Sequence, residues 1–106
     1  MMENFFRTYD RFITFNDLRF IDSAKPSSEQ EENNFKEDLL QMECKEGFIV
    51  DVGWYCKEID ILSDGWFMVL LIKNFNWENP LVEKKATNMI ELESILCELA
   101  SDYCKN

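Results

Sequence analysis

Residues 47–56 read GFIVDVGWYC and residues 66–72 read WFMVLLI. Apolar residues alternate along the first stretch, which is the period of a half-buried strand. The second stretch is apolar at every position, as in an interior strand covered by helices on both sides or by a helix and a loop. A Ser63-Asp64-Gly65 turn joins the two stretches. They predict the centre of a small antiparallel sheet.

Two further elements follow this pair of strands. Pro80 has no N–H for a central ladder, so 81–86 is predicted to be an edge strand, and its charged residues discourage further pairing. Asn88 and Glu91 have the spacing of a helix-capping pair. The apolar face of the predicted C-terminal helix then comprises Leu92, Ile95, Leu96, Leu99 and Tyr103.

Two further elements are predicted before the sheet. Between Ser28 and about Cys44, apolar residues at 35, 39 and 42 predict an amphipathic helix. The acidic residues around that predicted helix are Glu29, Glu31, Glu32, Glu37, Asp38 and Glu43. In its first turn, carboxylates suit the helix dipole. For residues 4–21 we favour a helix followed by a short strand over a hairpin across Asn16-Asp17.

The expected fold class is therefore α+β, with an antiparallel sheet of three to four strands packed with the acidic helix and the C-terminal helix. The chain of 106 residues, 46% of them hydrophobic, has the size of a single domain, 1–106. Within it we distinguish an aromatic-rich segment (1–22), a flexible connector (23–28) and the main α+β body (29–106).

The charge is acidic and uneven. The chain has 21 acidic and 11 basic residues, a net charge of −10. Residues 1–25 are balanced, so the excess lies in 26–106. Such a field repels nucleic acid phosphates and anionic lipid and accelerates association with a basic protein. The alternative is that the acidity serves only solubility.

The sequence lacks the residues that most catalytic sites and metal sites require. There is no histidine and no Cys-x-x-Cys pair, and the 3 glycines are too scattered for a phosphate-binding loop. A calcium loop starting at Asp60 would need ligands where Leu62 and Leu71 stand. We predict no catalytic residue, no metal site and no cofactor.

The cysteines and the apolar runs bear on the compartment. Cys44, Cys56, Cys97 and Cys104 lack the dense spacing of a secreted disulfide framework, so we expect free thiols. Helical spacing separates Cys97 from Cys104 by about 10 Å, too far for a bridge. No apolar run reaches the ~18 residues that a membrane helix requires, and residues 1–4 do not begin a secretory signal. We expect a soluble, cytoplasmic protein.

Recognition of a partner is the remaining function. Glu58, Asp60 and Asp64 form a predicted anionic rim between the two best strands, and Trp77 with Glu78 follows the interior strand. An exposed tryptophan beside carboxylates is suited to anchor a basic partner. The alternative is that Trp77 plugs the end of the core.

The stretches 47–55 (GFIVDVGWY), 65–73 (GWFMVLLIK) and 77–81 (WENPL) resemble small immunity proteins of bacterial polymorphic toxin systems, including contact-dependent growth inhibition. The resemblance covers about half of the chain. It implies a small cytoplasmic protein that binds a toxic nuclease domain and blocks it. A nuclease is basic where it holds phosphate, which suits an anionic inhibitor.

The leading hypothesis is an immunity protein, a monomer or weak dimer, that neutralises a basic toxin domain without binding nucleic acid or membrane itself. One alternative is a phage-type nucleic acid mimic that inhibits a host defence enzyme. The other is a small carboxylate-based enzyme with two acids of perturbed pKa in a deep pocket.

Overall fold

In a computed structural model, which describes residues 2–21, 37–56 and 65–104, the chain forms an antiparallel sheet flanked by helices. The described residues contain five strands, β1 (Ile13–Asn16), β2 (Leu40–Glu43), β3 (Phe48–Cys56), β4 (Gly65–Lys73) and β5 (Val82–Ala86), which are neighbours in chain order. A short helix, α1 (Glu3–Thr8), precedes them, and α2 (Met89–Tyr103) follows. The predicted α+β class is confirmed, with one strand more than the three to four expected.

The centre of the sheet is the predicted hairpin. β3 and β4 pair along their whole length, from Phe48 opposite Lys73 to Cys56 opposite Gly65. On one face the buried side chains are Val50, Val52, Trp54, Phe67, Val69 and Leu71. On the other face, Ile49 and Ile72 lie opposite each other and are 2% and 0% exposed. β3 is therefore buried on both faces near Phe48, more than the predicted half-buried strand.

Helix α2 begins where its cap predicts and packs on β3, β4 and β5. The Asn88 side chain accepts a hydrogen bond from the Glu91 backbone N–H at 2.8 Å. The Glu91 carboxylate accepts one from the Thr87 N–H at 3.0 Å, and the Thr87 donors lower the pKa of Glu91. Leu92, Leu96 and Leu99 are buried, which confirms the C-terminal helix.

Both edges of the sheet agree with the sequence. Among the described strands, β5 pairs only with β4, so the predicted edge strand is confirmed. At the other edge, helix α1 and a 3₁₀ turn lead into β1, which confirms the helix followed by a strand. β1 pairs with β2 rather than folding back across Asn16-Asp17.

The acidic helix predicted for 28–44 is wrong over residues 37–44, because Leu40–Glu43 is strand β2 and residues 37–39 before it are not helical. Leu40 and Met42 are fully buried, opposite Val52 and Val50. Burial at every second residue against β3 outweighs the helical spacing of positions 35, 39 and 42, since strand pairing overrides local pattern. Residues 28–36 of that prediction and the connector 23–28 lie outside the described residues.

The expectation of free thiols is wrong for two cysteines. Cys44 and Cys104 form a disulfide with a Cα–Cα distance of 4.9 Å, across a sequence separation of 60 residues. Their approach depends on α2 lying against the sheet, which the spacing of cysteines does not reveal. Cys97 is a free, exposed thiol on α2 and is not bonded to Cys104, as predicted.

Candidate interaction surface at the β4–β5 loop

Large apolar side chains are concentrated in the loop between β4 and β5, residues 74–81. Among the described residues, the exposed large hydrophobic side chains are Phe15, Phe20, Phe75, Trp77, Leu81 and Ile90. Half of them lie in this one loop, where Phe75 is 63% exposed, Trp77 44% and Leu81 57%. Single exposed apolar residues need no explanation, whereas several in one short loop indicate a contact surface.

The loop is ordered by its own backbone. The Asn76 N–H donates to the Lys73 carbonyl at 3.1 Å, and the Trp77 N–H donates to the Phe75 carbonyl at 3.0 Å. Further along, the Asn79 N–H donates to the Asn76 carbonyl at 3.3 Å. Successive turns of this kind hold the apolar side chains on a defined backbone.

The first two residues of the loop have left-handed backbones. Asn74 has φ 54° and Phe75 has φ 60°. Asparagine tolerates this region, but a bulky phenylalanine there is disfavoured and persists only where the surroundings impose it. Such strain is a feature of ligand clamps and interaction sites as well as of tight turns.

The neighbouring β2–β3 turn supplies those surroundings. The Gly47 carbonyl accepts a hydrogen bond from the Asn74 N–H at 2.9 Å. Gly47 itself has φ 81°, and a Cβ at this position would overlap the Asn74 side-chain oxygen. A glycine therefore suits this position, because it adopts a positive φ without strain and leaves room for the Asn74 side chain.

Aromatic contacts and the disulfide also stabilise this end of the sheet. The Lys73 ammonium lies 4.5 Å from the centre of the Phe48 ring, whose centroid is 4.9 Å from that of Tyr103. Tyr103 is the last residue of α2 and directly precedes the disulfide-bonded Cys104. The base of the β4–β5 loop is thus joined to the sheet, to the adjacent turn and to the end of α2.

The structure locates two of the predicted partner-binding residues on this loop. Trp77 and Glu78 are both exposed, so the alternative in which Trp77 plugs the core is wrong. The other three, Glu58, Asp60 and Asp64, lie outside the described residues. In sequence, these three residues lie between Cys56, the last residue of β3, and Gly65, the first residue of β4. Cys56 and Gly65 are paired at the end of the hairpin opposite the β4–β5 loop. The length of a nine-residue strand, about 27 Å, separates the two ends.

Phe75 and Leu81 were missed as candidates. The available signal was a Phe-x-Trp pattern followed by leucine, set among the turn-forming residues Asn74, Asn76, Asn79 and Pro80. Apolar side chains among residues that favour turns are poorly placed for burial.

A group of acidic side chains lies on the sheet face that carries Ile49 and Ile72. Asp51 is half-buried, and its burial, with a smaller effect of Asp38, raises the pKa of its carboxyl to about 6. Burial, and then the charges of Asp51, Glu37 and Asp38, raise the pKa of Tyr55. Gly53 on the same face is covered by the chain itself, since a Cβ there would overlap the Glu37 carbonyl.

We also searched the described residues for a cavity, a metal site and a membrane-spanning helix. A cavity of about 270 Å³ is lined by Met2, Glu3, Phe6, Leu18, Arg19, Phe20, Ile21 and Met89. In the described part of the chain, no group of three histidine, cysteine, aspartate or glutamate side chains is arranged to hold a metal ion. No helix within 2–21, 37–56 or 65–104 is long and apolar enough to span a membrane.

Comparison of the chain with protein-family models, with curated proteins and with solved structures finds no match.

Proposed function

We propose that this protein is an immunity protein that binds a cognate toxin domain with a basic, nuclease-type surface and neutralises it. The observation that carries the proposal is the ordered β4–β5 loop, which exposes three large apolar side chains on a protein with a net charge of −10. Recognition requires both features, a contact surface and a charge that selects the partner.

Apolar anchors and charge contribute in different ways. A few aromatic residues near the centre of an interface carry most of its binding energy. Complementary charge steers diffusion and rejects wrong partners. A nuclease domain has a positive surface where it binds phosphate, so an anionic protein with an apolar anchor is suited to cover it.

The proposed role also places the protein in the cytoplasm, where a toxic nuclease reaches its substrate. The Cys44–Cys104 disulfide is unusual for that compartment, where thiols are kept reduced. The proposal therefore requires that the protein folds and binds its partner in the reduced state too.

The test uses the toxin domain that the proposal expects to be encoded just upstream of this chain's gene, with the catalytic residues of that domain inactivated. We expect a one-to-one complex by size-exclusion chromatography with light scattering, and an association rate that falls as salt rises from 50 to 500 mM. Co-expression with the active toxin should keep cells alive. Absence of a complex and of protection would refute the proposal.

Two control measurements separate the alternatives. A nucleic acid mimic would bind a host defence enzyme in place of the toxin, and a carboxylate-based enzyme would turn over a substrate without any partner. Genes of a phage rather than of a secreted toxin beside this one would favour the mimic.

A further inference from the structure

We infer that the β4–β5 loop anchors the complex, with Trp77 filling an apolar pocket on the basic partner and Glu78 pairing with a cation at the rim of that pocket. Phe75 and Leu81 flank Trp77 and exclude water from the contact. This inference rests on the proposed function and specifies its binding residues.

The loop is suited to this role because its conformation is set before binding. Its backbone turns are hydrogen-bonded, and its first residue donates to the Gly47 carbonyl. Ordering a loop on association normally weakens binding, so a loop that is already ordered retains more of its contact energy. The left-handed backbone of Phe75 (φ 60°) costs free energy, and we interpret it as strain that is retained because it presents the ring to the partner.

Trp77 is the central residue by its partial burial. It is 44% exposed, less than Phe75 at 63% and Leu81 at 57%, so more of its surface is already covered in the free protein. Tryptophan is enriched among residues that dominate binding, because its large rigid ring adds much contact area at little cost in rotational freedom.

The negative net charge favours a basic protein over other partners that could bind this surface. A second copy of the chain also carries −10 and is repelled. Anionic lipid is repelled for the same reason. Beside the apolar residues, Glu78 is an exposed carboxylate, whereas the nearby Lys73 ammonium lies over the Phe48 ring. A cation on the partner therefore meets an available negative charge next to Trp77.

The experiment measures the dissociation constant for the inactivated toxin domain by calorimetry. The variants are Trp77→Ala, Phe75→Ala, Leu81→Ala and Glu78→Gln. Ile90→Ala is the matched control, because Ile90 is 66% exposed, apolar and in the first turn of α2. Helix α2 starts shortly after β5, whose last residue, Ala86, lies opposite Phe67. This pair is at the end of the sheet that is farther from the β4–β5 loop.

We expect Trp77→Ala to weaken binding about 30-fold or more, the other two loop truncations about 5-fold or more, and Ile90→Ala less than 2-fold. Glu78→Gln should chiefly slow association and reduce its salt dependence. Circular dichroism and the thermal midpoint of each free variant show whether it is folded.

A second readout requires no substitution in this protein. Trp54 is 4% exposed and Trp66 is partly buried, so acrylamide quenching of the free protein should come mainly from Trp77. Quenching should fall when the inactivated toxin domain binds, provided that the domain's own tryptophans are replaced by phenylalanine.

The outcomes separate the two proposals. A complex that tolerates Trp77→Ala and leaves Trp77 quenchable overturns the anchor but retains the proposed function. No complex overturns the proposed function and, with it, the anchor. Weakening by Ile90→Ala as large as that by Trp77→Ala would also overturn the anchor.

Discussion

The disulfide between Cys44 and Cys104 should provide a large part of the stability of the oxidised protein. It closes a loop with a sequence separation of 60 residues. For a loop of that length, the chain-entropy relation gives about 14 cal/mol/K, or about 4 kcal/mol at room temperature. Domains of this size are stable by only about 5–15 kcal/mol, so the reduced protein should unfold much more easily.

The measurement is urea unfolding of the wild type with and without a reductant, and of Cys44→Ser. Cys44 is the better position for substitution because it is half-buried, whereas Cys104 is 4% exposed and belongs to the core. With a urea dependence of about 1.5 kcal/mol/M, a loss of about 4 kcal/mol lowers the midpoint by about 2 to 3 M. Cys97→Ser, which removes the exposed free thiol, is the control and should unfold like the wild type.

Two results would refute this reasoning. One is a difference of less than about 1 kcal/mol between oxidised and reduced protein, which is below the usual range for a native disulfide. The other is alkylation of Cys44 and Cys104 in urea without any reductant, followed by mass spectrometry of the peptides, because bonded cysteines do not react.

Three further changes test other parts of the structure. Burial raises the pKa of Asp51 from 3.8 to about 6 in the folded state, so ionisation of Asp51 should destabilise the protein as the pH rises from about 4 to 6. The loss is measured as the difference in unfolding free energy between pH 4 and pH 7. Asp51→Asn should make this difference smaller by about 1 to 2 kcal/mol, after allowance for solvent screening. Gly53→Ala should lower the free energy of unfolding by about 1 to 3 kcal/mol, because the new Cβ overlaps the Glu37 carbonyl; a stability equal to the wild type would mean that the chain does not cross Gly53 there. Asn88→Ala should lower the free energy of urea unfolding by about 1 kcal/mol, because it removes the hydrogen bond to the Glu91 N–H. The control is Ser94→Ala at an exposed position of the same helix, which should change this free energy by less than about 0.5 kcal/mol.

The sequence predicts those elements whose signal is local. The β3–β4 hairpin follows from alternation in one strand and continuous apolar character in the next. Helix α2 follows from an asparagine cap and a regular apolar face, and β5 from Pro80 and its charged residues. In each case the residues that decide the element lie within it.

The parts that were missed depend on contacts distant in sequence. Leu40–Glu43 has helical spacing when it is joined to Phe35, but it becomes a strand because β3 lies beside it. The disulfide requires the end of α2 to meet the end of β2. The exposure of Trp77 depends on how the loop turns after β4, and the same residue would be a core residue if the loop folded inward.

The two features on which the proposed function depends should act on different rate constants. The net charge of −10 acts over a distance of about one Debye length, so it changes how often the protein and a basic partner meet in a suitable orientation. Trp77 and its neighbours act only after contact, so they determine how long the complex lasts. If so, salt should change chiefly the association rate, while Trp77→Ala should change chiefly the dissociation rate at every salt concentration. An association rate that did not depend on salt would mean that the acidity serves only solubility, and a dissociation rate unchanged by Trp77→Ala would mean that the loop fills no pocket on the partner.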